Sequence, residues 1–234
     1  MAIGNVTPDS FYSASRIADT DELVRWATNA LADGASILDI GGCSTRPNAE
    51  RASEEDEWRR VEPALAALRE ALPEASLSLD TFRPAVARRA LEQFGPLIIN
   101  DISGGTQEMY DLVRHWAVPY VWTLCGQLDL PALRPEMKDI NLILDPGFGF
   151  IGSVEADYAC MRALHTLKTY ARPILVGLSR KSMLWRPLGI TPEQALAPTQ
   201  VAHLFALQQG ATILRVHDVK EAAQTITLWE KLKS

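Results

Sequence analysis

Cysteine is scarce in this sequence, and no long apolar run occurs in it. The three cysteines, Cys43, Cys125 and Cys160, lie far apart and include no CxxC pair. This usage favours reduced thiols in a cytoplasmic protein over a zinc site or a disulfide framework. No apolar run approaches the roughly 18 residues that a membrane-spanning helix needs, so we expect no membrane partner. The opening residues, MAIGNVTPDS, also lack the basic start and apolar stretch of a signal peptide.

Positive charge is also in short supply, because the net charge is −6 at pH 7. A protein with no basic surplus is poorly suited to hold a phosphate backbone, so we expect no nucleic-acid partner. An anionic ligand would have to be held by a local cluster of positive groups. The 234 residues include no linker or low-complexity tract. The sequence therefore predicts a single domain, residues 1–234, of a size that suits one α/β barrel.

Short apolar runs recur eight times along the chain, and helical stretches separate most of them. Each run is short and does not alternate with polar residues, as is typical of parallel strands buried on both faces. One helical stretch opens with Ser53 as a predicted N-cap. The eight runs are MAIGNV, SILDIGG, SLSLD, LIINDI, YVWTL, NLILDPG, ILVGLS and TILRVHD. This alternation predicts an α/β fold, a (β/α)8 TIM barrel, with an open doubly wound sheet as the alternative.

The connection between the fifth and sixth runs is short. Only residues 126–140 join them, and Pro131 and Pro135 each disfavour a helix through this stretch. Its length is that of a loop and not of a crossover helix with two loops. We therefore predict that the fifth outer helix is missing or reduced to about one turn.

A polar residue stands at or just past the end of seven of the eight runs. A barrel places the carboxyl ends of its strands on one rim, where active sites are built. A single strand-end residue could merely cap a loop, but seven together favour a shared site. These residues are Asn5, Asp39, Asp80, Asn100, Asp145, Lys181 and Arg215.

Cations follow the seventh and eighth runs, which are neighbours in a barrel and often form its phosphate site. The stretch GLSRKS puts Arg180 and Lys181 at a predicted helix start, where backbone N–H groups also attract an anion. The eighth run adds Arg215, which can hold phosphate oxygens with two hydrogen bonds, and His217, a donor that can become charged. Together they predict an anion site, although GLSRKS alone could be a solvated turn.

Hydrogen-bond acceptors follow the third, fourth and sixth runs, at Asp80, Asn100 and Asp145. Two carboxylates and an amide suit a heterocycle that is rich in N–H donors and ring nitrogens, such as the 2-amino-4-oxo edge of a pteridine. The alternative is a buried polar network that closes the top of the barrel.

Seven motifs, in order along nearly the whole chain, resemble those of dihydropteroate synthase. They are NVTPDSF (5–11), DIGGCSTRP (39–47), LDTF (79–82), INDISGG (99–105), LDPGFGF (144–150), GLSRKS (177–182) and RVHDV (215–219). The resemblance implies a homodimeric transferase of folate biosynthesis that sulfonamides target. Such an enzyme joins 6-hydroxymethyl-7,8-dihydropterin diphosphate to p-aminobenzoate and releases pyrophosphate, with Mg²⁺.

The same resemblance implies roles for individual residues. Those that match the pterin pocket are Asp80, Asn100, Asp145 and Lys181. Those that match the diphosphate positions are Asn5, Arg46, Arg215 and His217, and Asn5 also matches the metal position. Those near the p-aminobenzoate are Thr45, Pro47, Phe150 and Ser179. The implied catalytic residues, which stabilise charge as the pterin C–O bond breaks, are Lys181, Arg215, His217 and Asp145.

The chain departs from the family pattern in several places. An acid, a Glu, a His and a Lys of the family are replaced here by Ser13, Cys43, Thr123 and Gly152. The N-terminus and the segment between the fifth and sixth runs are also shorter than the resemblance leads us to expect. Three hypotheses stay open: an active synthase, a pterin-binding paralogue or decayed copy with little turnover, and a barrel that binds another phosphorylated ligand.

Overall fold

The computed structural model describes residues 1–6, 19–43, 52–128 and 137–233. The chain forms two compact units. The first unit is Met1–Tyr120 with Asp139–Asn141, and the second is Val121–Lys138 with Leu142–Ser234.

Four strands of the first unit pair in parallel: β1 (Ala2–Asn5), β2 (Ile37–Gly41), β3 (Ser76–Asp80) and β4 (Ile98–Asp101). They pair in sequence order, so that β1 lies beside β2, β2 beside β3 and β3 beside β4. The central residues of each strand are buried, which explains why the sequence shows unbroken apolar runs. Because the pairing is parallel, all four carboxyl ends lie at the same edge of the sheet.

Helices alternate with these strands, and three of them begin at a capping side chain. The helices are α1 (Thr20–Ala32), α2 (Glu54–Ala71), α3 (Pro84–Phe94) and α4 (Gln107–His115). The side chains of Asp19, Ser53 and Thr106 accept hydrogen bonds from the first turns of α1, α2 and α4. The predicted N-cap at Ser53 is confirmed, with its Oγ 3.1 Å from the Asp56 nitrogen. Such a cap stabilises a helix by about 1 kcal/mol.

The second unit contains the later strands. Strand β5 (Pro119–Thr123) continues into it from the first unit, and it also holds most of β6 (Asn141–Asp145) and all of β7 (Leu175–Val176) and β8 (Ile213–Leu214). Leu144 of β6 forms a parallel bridge with Ile174, and β7 pairs with β8 in parallel. The nitrogen of Leu124 donates to the carbonyl oxygen of Asp145 at 2.8 Å, so β5 and β6 end side by side.

The helices of the second unit are α5 (Val154–Ala163), α6 (Ser182–Trp185), α7 (Leu196–Gln209) and α8 (Val219–Lys233). The described part of this unit also contains 3-10 helices at Leu164–Tyr170 and Pro192–Gln194. Among the described residues, no helix of either unit is long and apolar enough to cross a membrane.

All eight predicted strands are found within the described part of the chain, and each lies inside its apolar run except β5, which begins one residue before it, at Pro119. Between β5 and β6, the described residues 124–128 and 137–140 contain no α-helix. Residues 129–136, which include Pro131 and Pro135, lie outside the described residues. The predicted loss or shortening of the fifth outer helix therefore stays a prediction.

His203 of α7 is a fully buried histidine. Its Nδ1 lies 3.2 Å from Oε1 of Gln200. Burial lowers the pKa of His203 from 6.5 to about 4, although the carboxylate of Asp218 acts in the opposite direction. The imidazole is therefore neutral at pH 7.

We predict that His203 makes the protein less stable in acid. Its pKa is lower in the folded state than in the unfolded state, so the unfolded state binds the proton more readily. Stability is then complete above pH 6.5 and falls as the pH drops towards 4. A shift of this size corresponds to about 3 kcal/mol. Urea unfolding across this pH range should show a smaller loss of unfolding free energy for His203→Leu than for the parent protein.

The control is His115→Leu, because His115 is exposed at the end of α4. This variant should follow the parent across the same pH range. Equal acid dependence of His203→Leu and the parent would contradict the assignment.

Candidate active site

The strand register of the first unit brings three of the predicted site residues to one edge of the sheet. Asn5 pairs with Gly41, Gly41 with Asp80, and Asp80 with Asn100. A Cβ built on Gly41 would lie 3.6 Å from Oδ2 of Asp80 and 3.7 Å from Oδ1 of Asn5. These two side-chain oxygens therefore converge over a residue that has no side chain of its own.

Asn100 is held by a buried carboxylate. Its Nδ2 donates to Oδ2 of Asp39 at 3.0 Å, and Asn100 and Asp39 are 6% and 0% exposed. The bond fixes the orientation of the amide, so its carbonyl oxygen points away from Asp39. From the sequence, Asp39 was only one of several predicted strand-end residues. The structure corrects this: Asp39 lies in the middle of β2 and orients Asn100.

Asp101, a second buried carboxylate, fixes the loop that follows β4. Its oxygens accept hydrogen bonds from Oη of Tyr120 at 2.8 Å and from the nitrogen of Ser103 at 2.7 Å. Burial raises the pKa of Asp101, and these hydrogen bonds oppose that rise. The second half of the INDISGG motif is therefore a loop directly after β4, and the buried Asp101 carboxylate holds its first residues.

Arg83 ties together the two described ends of the loop that follows β2. Its guanidinium pairs with the fully buried carboxylate of Glu57 and donates to the carbonyl oxygen of Ala52. Burial by itself lowers the pKa of Arg83, but a hydrogen bond to Cys43 and the charge of Glu57 outweigh it, and the pKa is raised. Four of the residues singled out from the sequence lie outside the described residues: Ser13, Thr45, Arg46 and Pro47.

Asp145 ends β6 at a tight turn. Its Oδ1 accepts a hydrogen bond from the nitrogen of Gly147 at 2.9 Å. Gly147 has a φ of +83°, which a residue with a side chain adopts only with strain. The LDPG stretch therefore forms a turn, which fixes the carboxylate at the end of the strand.

Lys181 is held against the loop that follows β6. Its Nζ lies 4.3 Å from the centre of the Phe150 ring and donates to the carbonyl oxygen of Phe148. The nitrogen of Gly149 donates to Oδ1 of Asp157 at 2.8 Å. Asp157 is 2% exposed, and burial raises its pKa. Asp157, which the sequence did not single out, thus anchors the loop that positions Lys181.

Ser179, Arg215 and His217 come together at the ends of β7 and β8. The nitrogen of Arg215 donates to the carbonyl oxygen of Val176 at 2.9 Å, which extends the strand pairing. The nitrogen of His217 then donates to Oγ of Ser179 at 3.3 Å. Three predicted residues therefore share one end of this strand pair.

The imidazole of His217 is neutral at pH 7. Burial is the largest cause that lowers its pKa from 6.5 to about 4, and the positive charge of Arg215 lowers it further. Asp218 acts in the opposite direction. The sequence suggested a donor that becomes charged, but in the folded protein this ring is uncharged at neutral pH.

Arg180 does not have the arrangement that the sequence suggested. Its guanidinium makes two hydrogen bonds to the carboxylate of Asp218, at 2.9 and 2.8 Å, so its charge is already compensated. Helix α6, which Lys181 precedes, has only four residues. A helix this short has a small dipole, so the helix start adds little to an anion site.

Among the described residues, no group of three or more His, Cys, Asp or Glu side chains could hold a metal ion. The convergent oxygens of Asn5 and Asp80 are nevertheless of the kind that Mg²⁺ prefers. That ion usually takes one or two protein oxygens and completes its shell with water and substrate phosphates.

Known proteins are similar to this chain in sequence and in fold. The sequence profile described as "pterin binding enzyme" matches residues 1–129 and 132–217. The dihydropteroate synthase of Bacillus subtilis is 33% identical over 99% of this chain and 87% of its own length. The dihydropteroate synthase of Clostridium difficile, solved with pteroic acid, has a TM-score of 0.88 at 28% identity, over 99% of this chain and 95% of that one. That of Yersinia pestis, solved with a sulfonamide drug, has a TM-score of 0.85 at 32% identity, over 99% and 92%.

This chain belongs to the pterin-binding enzymes and, among them, to the dihydropteroate synthases, the transferases that serve folate biosynthesis. The resemblance seen in the seven sequence motifs is thereby confirmed. The predicted fold class, the (β/α)8 barrel, is confirmed by the structural neighbours as well.

Gly149 supplies a test of how Lys181 is held. A Cβ on Gly149 would lie 2.7 Å from Cδ of Lys181, whereas a Cβ on Gly152 would have no atom within 4 Å. We predict that Gly149→Ala displaces Lys181 and weakens the binding of pteroic acid about tenfold or more, as expected for the loss of one charged hydrogen bond. Calorimetric titration with pteroic acid measures this.

Gly152→Ala is the matched control, because both glycines have positive φ, +81° and +111°. Each alanine strains the backbone by roughly 1–2 kcal/mol, but only the one at 149 meets the lysine. Equal affinities of the two variants would show that Lys181 does not depend on this close approach.

Proposed function

We propose that this protein joins 6-hydroxymethyl-7,8-dihydropterin diphosphate to p-aminobenzoate and releases pyrophosphate. The observation that carries the proposal is the division of chemistry among the strand ends. Acceptors end β3, β4 and β6, at Asp80, Asn100 and Asp145, whereas the basic residues follow β7 and β8. A pterin diphosphate has the matching division into a donor-rich ring and an anionic leaving group.

Four residues are proposed to bind the pterin ring: Asp80 and Asn100 in the first unit, and Asp145 and Lys181 in the second. A carboxylate can accept two N–H bonds from the amino-pyrimidinone edge. Asn100 offers its carbonyl oxygen because its nitrogen is committed to Asp39. Lys181 donates to a ring acceptor, and its contact with the Phe150 ring supports the extended stem that this requires.

Four residues are proposed to bind the diphosphate: Asn5, Arg46, Arg215 and His217. Arg215 contributes positive charge and planar, two-pronged hydrogen bonding. His217 contributes a neutral N–H donor, since its pKa of about 4 leaves it uncharged at neutral pH. Asn5 would also hold Mg²⁺ through its amide oxygen, and the bound ion would neutralise charge on the leaving group.

The p-aminobenzoate is proposed to meet Thr45, Pro47, Phe150 and Ser179. Phe150 is 39% exposed, so one part of its ring can take an aromatic ligand while another part contacts Lys181. Ser179 is 9% exposed, and its Oγ already accepts from the nitrogen of His217. The hydroxyl hydrogen can therefore be donated to a carboxylate.

The proposed reaction is a substitution in which the bond to the leaving group breaks first. The C–O bond breaks with both electrons going to the diphosphate, which leaves a cation that the pterin ring stabilises. The amino nitrogen of p-aminobenzoate then forms the new C–N bond and loses a proton. The catalytic residues act electrostatically: Arg215 and His217 favour the departing anion, Lys181 orients the ring, and Asp145 tolerates its positive charge.

The proposal extends to the protein as a whole. The family profile runs through both compact units, which supports a single functional domain over residues 1–234. We further propose a cytoplasmic homodimer that sulfonamides inhibit. The second candidate is a pterin-binding paralogue with little turnover, and it is favoured by Cys43, Thr123 and Gly152, which replace an acid, an imidazole and an amine of the family pattern.

A coupled assay for pyrophosphate separates the two candidates. Pyrophosphate released from the pterin diphosphate only when p-aminobenzoate is present identifies a synthase. Tight pterin binding by calorimetry without pyrophosphate release identifies the paralogue. A protein that binds pyrophosphate but no pterin would overturn both.

Arg215→Ala should weaken pyrophosphate binding far more than it destabilises the fold. A charged hydrogen bond from an arginine to an anion contributes about 1.5–3 kcal/mol to the binding free energy. Calorimetric titration with pyrophosphate measures the effect, and the circular dichroism spectrum shows whether the variant is folded. Unchanged affinity in a folded variant would remove Arg215 from the diphosphate site.

Asp145→Asn should weaken pterin binding and leave pyrophosphate binding intact. The amide keeps the size of the carboxylate but presents an NH₂ group to an N–H donor of the pterin. The unmatched pair of donors costs about 1–3 kcal/mol of binding free energy. Separate titrations with pteroic acid and pyrophosphate measure this. The control is Asp111→Asn on the surface of α4, which should change neither affinity.

If both affinities fall together in Asp145→Asn, the carboxylate supports the surrounding loops instead of contacting the pterin. If neither falls, Asp145 only caps the turn at Gly147.

A further inference from the structure

Arg180 and Asp218 form a two-pronged ion pair within the second unit. Nε of Arg180 donates to Oδ2 of Asp218 at 2.9 Å, and one terminal nitrogen donates to Oδ1 at 2.8 Å. The two side chains are only 8% and 14% exposed, so water screens the pair weakly. A pair with this geometry is strong and directional.

The same guanidinium also holds a third segment. Its other terminal nitrogen donates to the carbonyl oxygens of Pro192 and Glu193, at 2.9 and 2.7 Å. Arg180 therefore links the loop after β7, the loop after β8 and the 3-10 helix between α6 and α7. A guanidinium has five N–H groups, and protein acceptors take four hydrogen bonds from this one. Arg180 is thus engaged with the protein itself.

The backbone of Arg180 is also unusual. Its φ is +54°, in the left-handed region that non-glycine residues rarely adopt. The Arg180 nitrogen donates to Oγ1 of Thr199 at 3.2 Å, and that fully buried hydroxyl donates to the carbonyl oxygen of Ala195 at 2.6 Å. A conformation of this kind persists only where several interactions hold it, and such places are concentrated at functional sites.

The pair is adjacent in the chain to residues that are proposed to bind different parts of the substrates. Arg180 lies between Ser179 and Lys181 in the chain, and Asp218 directly follows His217. The ion pair between Arg180 and Asp218 therefore sets the distance of Ser179 and Lys181 from the end of β8. The bond from the His217 nitrogen to Ser179, at 3.3 Å, lies beside it and depends on the same spacing.

We propose that the Arg180–Asp218 pair is a positioning device: it holds the loop that carries Lys181 at a fixed spacing from the loop that carries Arg215 and His217. The proposal rests on the proposed function, in which Lys181 binds the pterin ring and Arg215 and His217 bind the diphosphate. Arg180 is then a positioning residue and not a ligand. Asp218 compensates its charge, so that Arg215 supplies the positive charge that the diphosphate meets.

Lysine cannot replace Arg180 in this role. An ammonium group has the charge but not the planar fork that meets a carboxylate and two carbonyl oxygens at once. Arg180→Lys therefore separates geometry from charge, and Asp218→Asn removes the charge while keeping the shape. Arg180→Lys combined with Asp218→Asn completes a double-mutant cycle.

The experiment titrates each folded variant with pyrophosphate and, separately, with pteroic acid. We expect Arg180→Lys and Asp218→Asn to weaken pyrophosphate binding between about tenfold and about 100-fold, as for a binding group displaced by about 1 Å. Pteroic acid binding should change less than about twofold, because the Phe150 ring and the Phe148 carbonyl oxygen still hold Lys181 in these variants. The double variant should bind pyrophosphate no more weakly than the weaker single variant, because both substitutions break one link.

Arg114→Met is the matched control. It removes an ion pair of similar length, 2.7 Å to Asp111, from a helix of the first unit, and should leave pyrophosphate binding unchanged. Pyrophosphate binding that is also unchanged in folded Arg180→Lys and Asp218→Asn would overturn the proposal. A parallel loss of pyrophosphate and pteroic acid affinity would also overturn it, and so would an Asp218→Asn protein that does not fold. Either result would show that the ion pair contributes only to the stability of the fold.

Arg215→Ala distinguishes this inference from the proposed function. If Arg215→Ala weakens pyrophosphate binding and the Arg180 and Asp218 variants do not, the positioning role is wrong and the proposed anion site stands. If Arg215→Ala has no effect either, the proposed site itself is wrong.

Discussion

Parallel strand pairing is the constraint on which the site depends. In a parallel sheet every strand points the same way, so residues far apart in sequence reach one edge. In the first unit, the register aligns Asn5, Gly41, Asp80 and Asn100 in a row. In the second unit, the pairing of β7 with β8 brings Ser179 to the nitrogen of His217. A slip of one residue in either register would turn these side chains to the opposite face.

Buried polar partners then fix the side chains that the register has brought together. Asp39 orients Asn100, Asp157 holds the loop on which Lys181 rests, and Arg180 engages Asp218. Each partner is largely or fully buried, where an unmatched polar group would be costly. Asp80, Asp145 and Lys181, which are proposed to meet ligand, are half-buried, whereas Asp39 and Asp157 are almost completely buried. This order suits a site whose work is electrostatic, because fixed dipoles and charges need not reorganise during reaction.

The sequence predicted the strands, the cap at Ser53 and the strand-end residues well, because those features depend on neighbours in the chain. Buried parallel strands appear as unbroken apolar runs, and the LDPG turn that fixes Asp145 is local. The partners were not predictable in this way. Asp39 and Asn100 are 61 residues apart, and Arg180 and Asp218 are 38 apart, so only the folded chain pairs them.

The sequence also presented Arg180 as a cation available to an anion and His217 as a group that becomes charged. Burial and compensation by Asp218, which no short motif encodes, decide otherwise.

The contact of Lys181 with Phe150 and the Phe148 carbonyl has a consequence for entropy. A lysine side chain carries about 2 kcal/mol of rotamer entropy, which a ligand must overcome if it orders a mobile lysine. Here the Phe150 ring and the close approach of Gly149 already confine the Lys181 stem. The rotamer entropy is therefore lost when the protein folds and not when the ligand binds. The ligand therefore binds a cation that is already in place.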